Sequence, residues 1–127
     1  MTPNARTKIH YEKQGYMTAV VEHWLPFPKP FGKRHDLFGI FDLIAIRDGK
    51  TLGIQATTQA HVSDRISKMK ASTALNEWIQ HGGIAIVVGW AKKGPRGKRK
   101  LWEASVTRLD EGNHGQTELV VSPPCPI

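Results

Sequence analysis

Asp42 stands inside an otherwise apolar run, Phe41–Ile46 (FDLIAI). A buried carboxylate is costly unless it is paired or bound to a metal. Gln55 lies in a second run, Thr51–Thr58 (TLGIQATT), and Arg47-Asp48-Gly49-Lys50 separates the two. Asp-Gly between apolar runs is the strongest short hairpin signal. With Asp48-Gly49 at the turn, Arg47 pairs with Lys50 and Asp42 falls directly opposite Gln55. Residues so paired share a face, with Cβ atoms about 4.5–5.5 Å apart. A carboxylate and an amide oxygen at that separation can reach one hard cation such as Mg²⁺. The other open reading is a hydrogen-bonded pair, Gln55 donating to Asp42. A one-residue bulge would void the register.

A second kind of chemistry is suggested by charge. Eighteen Lys+Arg against eleven Asp+Glu give +7 and a pI of 9.8, a balance suited to a polyanionic partner. Lys92, Lys93, Arg96, Lys98, Arg99 and Lys100 crowd around Gly94-Pro95 and Gly97, and Lys29, Lys33, Arg34 and His35 accompany the proline-rich stretch Pro26–Gly32. Both clusters read as loops whose cations follow phosphates, or as solvated connections that only aid solubility. The six histidines show no HxH or HExxH spacing, and no nucleotide-binding or hydrolase glycine motif occurs. Trp24, Trp78, Trp90 and Trp102 read as core residues. Trp90 and Trp102 bracket the basic loop, so one of them is a candidate to meet a base.

These residues must be positioned by a small set of elements. The sequence predicts a short helix over 5–14 and a strand over Tyr16–Trp24, then a break enforced by three prolines. Leu37–Ile46 and Thr51–Thr58 follow as the hairpin. Ser63 is a plausible N-cap for a helix running to about His81, where Gly82-Gly83 stops it. Ile84–Trp90 is apolar on both faces, as a covered central strand should be. Leu101–Leu109 alternates and reads as an edge strand, open to pairing with a partner or a second copy. The expectation is one α/β domain over 1–109, with order α-β-β-β-α-β(-β), a mixed sheet and helices on its faces. Residues 110–127 read as a polar, Pro-rich tail.

The 127 residues suit one domain, and 39% hydrophobic content supports one modest core. No apolar run approaches the ~20 residues of a membrane span. The first fourteen residues lack the apolar stretch of a signal peptide, and a single cysteine, Cys125, excludes an internal disulfide. The expected compartment is the cytoplasm, with no membrane partner.

An acid entering an apolar strand, a hairpin, and an acid-or-glutamine position on the next strand resemble the PD-(D/E)xK nuclease superfamily. VVEHW, DLFGIFDLIAI and IQATT, with a downstream Arg-containing helix, resemble small phage and prophage nuclease-like or resolvase-like proteins within it. The resemblance implies a restriction-endonuclease-like core and Mg²⁺- or Mn²⁺-dependent hydrolysis of phosphodiester bonds in DNA, including branched or junction DNA. It implies Asp42 as the central metal ligand, Gln55 in place of the second acid, the Ala56 carbonyl as a further ligand and Glu22 as an outer acid. Asp36 reads either as another ligand or as a turn residue. The superfamily's lysine should stand two residues after Gln55, where this chain has Thr57. Either the site is inactive and the chain only binds nucleic acid, or a cation on the following helix, Lys68 with Arg65 nearby, takes over. Both are equally readable as solvated helix charges. A dimerising subunit of a DNA-processing complex is the remaining alternative.

Overall fold

The computed structural model describes residues 1–25, 33–110 and 116–122. The chain folds as α1 (Pro3–Lys13), β1 (Met17–Val20), β2 (His23–Leu25), β3 (Lys33–His35), β4 (Leu43–Arg47), β5 (Lys50–Thr58), a 3₁₀ turn (Gln59–His61), α2 (Val62–Lys70), α3 (Thr73–Gln80), β6 (Ile84–Lys93), β7 (Leu101–Leu109) and β8 (Gln116–Ser122). A six-stranded mixed sheet has the order β1-β4-β5-β6-β7-β8, and β2 and β3 form a separate two-stranded sheet. Among the described residues only β5 and β6 run parallel; the other neighbouring pairs are antiparallel.

Local chemistry explains most boundaries. Thr2 caps α1 by accepting from Ala5 N–H at 3.1 Å, with Pro3 at the first helical position. Asp48 and Gly49 both have positive φ, 48° and 77°, the conformation a two-residue hairpin turn requires. The turn sets Arg47 opposite Lys50 and the register continues to Leu43 opposite Ile54. α2 and α3 then carry the chain across the sheet so that β6 can lie parallel to β5.

Five expectations are corrected. The single strand over Tyr16–Trp24 is two strands, β1 and β2, in different sheets. The apolar run Leu37–Ile46 is extended only from Leu43. Phe38 and Gly39 both take positive φ, 56° and 75°, closing a tight turn in which Leu37 bridges Phe41. The helix from Ser63 breaks at Ala71-Ser72, because Ser72 turns its hydroxyl to Ala74 N–H and caps α3. β7 is not an edge: β8, drawn from the supposed tail, pairs with it from Trp102–Ser122 to Arg108–Gln116. The domain boundary at 109 and the dimer edge on Leu101–Leu109 fall with it. Residues 111–115 and 123–127 of that tail lie outside the described residues.

The sheet is covered on both faces. Leu43, Ile54, Ile86, Val88 and Trp90 pack with Tyr11 of α1, while Phe41, Val87 and Leu109 pack with Met69 of α2 and Leu75 of α3. Gly53 makes room for Phe41, since a Cβ there would sit 2.6 Å from the ring. No helix among the described residues is long and apolar enough to cross a membrane.

Candidate functional site

Three short pairings bring three acids to one point. β2 and β3 end on His23 opposite His35, so Glu22 and Asp36 flank the last pair of that small sheet. The Leu37–Phe41 bridge sets Asp36 beside Asp42 in the same way. The Asp42 carbonyl then accepts from both Val21 N–H at 2.8 Å and Glu22 N–H at 3.2 Å, closing the triangle. As a result Glu22, Asp36 and Asp42 each place a carboxylate oxygen within 4.8 Å of the others. The Asn4 side-chain amide donates to Glu22, tying the start of α1 to the cluster.

Asp42 itself differs from expectation by one residue. It sits immediately before β4 rather than within it, and its N–H donates to Ile54 O at 2.8 Å instead of pairing with Gln55. Its carboxylate accepts from Ala56 N–H at 3.2 Å, so the hydrogen bond anticipated from Gln55 comes from the next backbone amide. Asp42 is 5% exposed, as is Gln55. Burial is the main cause that pushes the Asp42 carboxyl up to about 7, and the adjacent Asp36 and Glu22 push the same way, while the Ala56 amide opposes them.

These residues border one cavity of about 740 Å³, together with Gln55, Ala56, Thr57, Arg65 and Lys68. Arg65 and Lys68 reach it from α2, which begins just after β5 ends. Every metal or catalytic candidate read from the sequence therefore meets at this place. Thr57, at the superfamily's lysine position, is 5% exposed and brings no charge.

The nucleic-acid candidates are more dispersed. Lys92, Lys93, Arg96, Lys98, Arg99 and Lys100 are all exposed, but Lys92 and Lys93 end β6, paired with Trp102 and Leu101, instead of lying in a loop, and only the other four stand on the β6–β7 connection. Lys92, Arg99 and Lys100 border a separate groove with Trp102, and not the acid cavity. Lys93 is tied to Glu103 at 3.4 Å. Lys33 and Arg34 lie on β3, and their side chains, like Lys29, lie outside the described residues. Trp90 is buried, its indole N–H donating to Thr7 Oγ1 at 2.9 Å, and is corrected as a base-contact candidate.

Sequence reasoning missed His23 and Trp24, which border the acid cavity. Trp24, expected in the core, is 60% exposed. The proline-rich sequence that follows it was the available signal, because proline is disfavoured within a sheet. Comparison of the chain with protein-family models, with curated proteins and with solved structures finds no match.

Proposed function

We propose that this chain is a metal-dependent nuclease of the PD-(D/E)xK type that hydrolyses phosphodiester bonds in DNA. The observation that carries this reading is the convergence of Glu22, Asp36 and Asp42 beside Gln55 and Ala56, in one cavity with Arg65 and Lys68. The element order supports it. With the separate β2-β3 pair set aside, α1, the antiparallel β1, β4 and β5, the helices α2 and α3, and the parallel β6 keep an α-β-β-β-α-β order.

The residues fit a hard divalent cation. The donors are all oxygens, which suits Mg²⁺ or Mn²⁺ over Zn²⁺. Three carboxylates crowded together repel one another, and burial raises the cost for Asp42 in particular, so a cation relieves both. Asp42, Asp36 and Glu22 would hold it, with the Gln55 amide oxygen and the Ala56 carbonyl. In an extended strand the carbonyl and N–H of one residue face the same edge, and the Ala56 N–H already faces Asp42. When bound, such a metal lowers the pKa of a water and neutralises charge on the phosphate. Arg65 and Lys68 face the same space and supply positive charge for the pentavalent phosphate of the transition state, the task Thr57 cannot perform.

Thr57 favours one second reading, a relative that binds metal and nucleic acid without cutting. Incubation of supercoiled and branched DNA with Mg²⁺ or Mn²⁺ separates the two. Parent protein should cleave, Asp42→Asn should not, and Lys68→Ala should lose cleavage while retaining DNA binding, with Arg65→Ala less affected. A parent that binds DNA and metal but never cleaves establishes the second reading. Full activity in Lys68→Ala and in Arg65→Ala removes the helix cation from the account.

A further inference from the structure

Three of the four tryptophans have a structural task. Trp90 is buried and hydrogen-bonded to Thr7. Trp78 donates to Ile84 O at 2.9 Å and packs on Phe41 with ring centroids 4.9 Å apart. Trp102 lies beneath the Arg6 guanidinium, 3.7 Å from its ring centroid. Trp24 has none of these. It is 60% exposed, and among the described residues no ring or cation packs against it. It projects from a two-stranded sheet outside the main core, where burial cannot explain a tryptophan.

Its position gives it a use. Trp24 is two residues from Glu22 and borders the acid cavity, which Arg65 and Lys68 also line. Cations that track a backbone, combined with an aromatic face open to a base, are the two components of single-strand recognition. A base within a duplex shows a protein only its edges, so its π-face is available only when it is unpaired and unstacked.

We infer that Trp24 is the stacking platform for an unpaired base, and that the site takes single-stranded DNA or the single-stranded part of a branched substrate. The inference rests on the nuclease reading for the identity of the ligand. The strand runs past Trp24 with one base on the indole and the neighbouring phosphate towards Arg65, Lys68 and the acids. A perfect duplex cannot make the stacking contact without fraying.

The test is binding of oligo-dT and of a duplex of equal length to the full chain, read by fluorescence anisotropy and tryptophan quenching. It is performed without metal in the Asp42→Asn background, where neither cleavage nor metal binding enters. Trp24→Ala should weaken oligo-dT binding about 5- to 150-fold, the range expected for one base–aromatic stack. Trp24→Phe should recover most of it, and duplex binding should change less than twofold in both. Oligo-dT should quench tryptophan emission in the parent background and not in Trp24→Ala. An unchanged melting temperature in Trp24→Ala confirms that folding is intact. Equal oligo-dT affinity with and without Trp24, or equal losses for single strand and duplex, overturns the inference. Either result leaves metal-dependent cleavage by the parent to stand or fall on its own assay.

Discussion

At the residue scale, Asp42 carries the greatest electrostatic load among the described residues. Its carboxyl, lifted from 3.8 to about 7, keeps its proton in the folded state at pH values where the unfolded chain has lost it. Folded protein therefore binds more protons between these limits, and its stability falls as pH rises through that window. Metal-free parent should melt progressively lower from pH 4 to pH 7, with this contribution level above. Asp42→Asn should flatten the slope, and thermal melts across that range check it. A parent as stable at pH 7.5 as at pH 5, with Asp42→Asn no different, would contradict the burial account. Asp42 was legible as an unusual position because a lone acid in the apolar run FDLIAI must be paired or metal-bound once buried. Its exact partner was not, since the slip from Gln55 to the Ala56 amide depends on where the ladder ends.

At the element scale, the site is made by terminations rather than by regular structure. β2 and β3 set Glu22 beside Asp36, the Phe38-Gly39 turn sets Asp36 beside Asp42, and β4 starts only afterwards. Hydrophobic periodicity reports the middles of elements and is silent about their ends. The Asp-Gly hairpin, the apolar β6 and the presence of a crossover helix were therefore readable, whereas the Leu37–Phe41 turn looked like strand. The helix break at Ser72 was hidden in the same way, because the apolar pattern runs on through a residue that caps. Gly53 ties this geometry to packing. Its missing side chain admits Phe41, a fully buried ring next to Asp42. Gly53→Ala should cost about 1–3 kcal/mol by overpacking and should also weaken metal binding by displacing Asp42. Denaturant unfolding and Mn²⁺ titration of that variant measure the two effects; a variant that loses neither would show that Phe41 moves freely.

At the scale of the whole molecule, charge is arranged in two places. Glu22, Asp36 and Asp42 gather in the cavity, and Lys92 and Lys93 at the end of β6, with Arg96, Lys98, Arg99 and Lys100 on its connection to β7, crowd at the C-terminal end of β6. A net charge of +7 is the basis for expecting a polyanionic partner, but it does not reveal that the basic cluster borders a groove separate from the acid cavity. That separation predicts separable roles. Replacing Lys98, Arg99 and Lys100 with Ala should weaken duplex binding and reduce its salt slope by about 0.9 per lost phosphate contact. Folding should be unaffected, since exposed charges contribute little stability. An unchanged salt slope would assign the arm to solubility alone. The sheet's true edges, β1 and β8, were likewise beyond sequence reach, because the polar residues before β8 read as the end of ordered chain.

Glu22, Asp36 and Asp42 are placed so that they could hold a metal ion. Calorimetric titration of Mn²⁺ into the parent and into Asp42→Asn at pH 8 tests that role most directly, because it requires neither substrate nor turnover. The parent should bind saturably, with affinity that weakens as pH is lowered below about 7, where Asp42 takes up its proton, and a folded Asp42→Asn should not bind. Absence of saturable binding in the parent, or equal binding in the variant, would contradict that role.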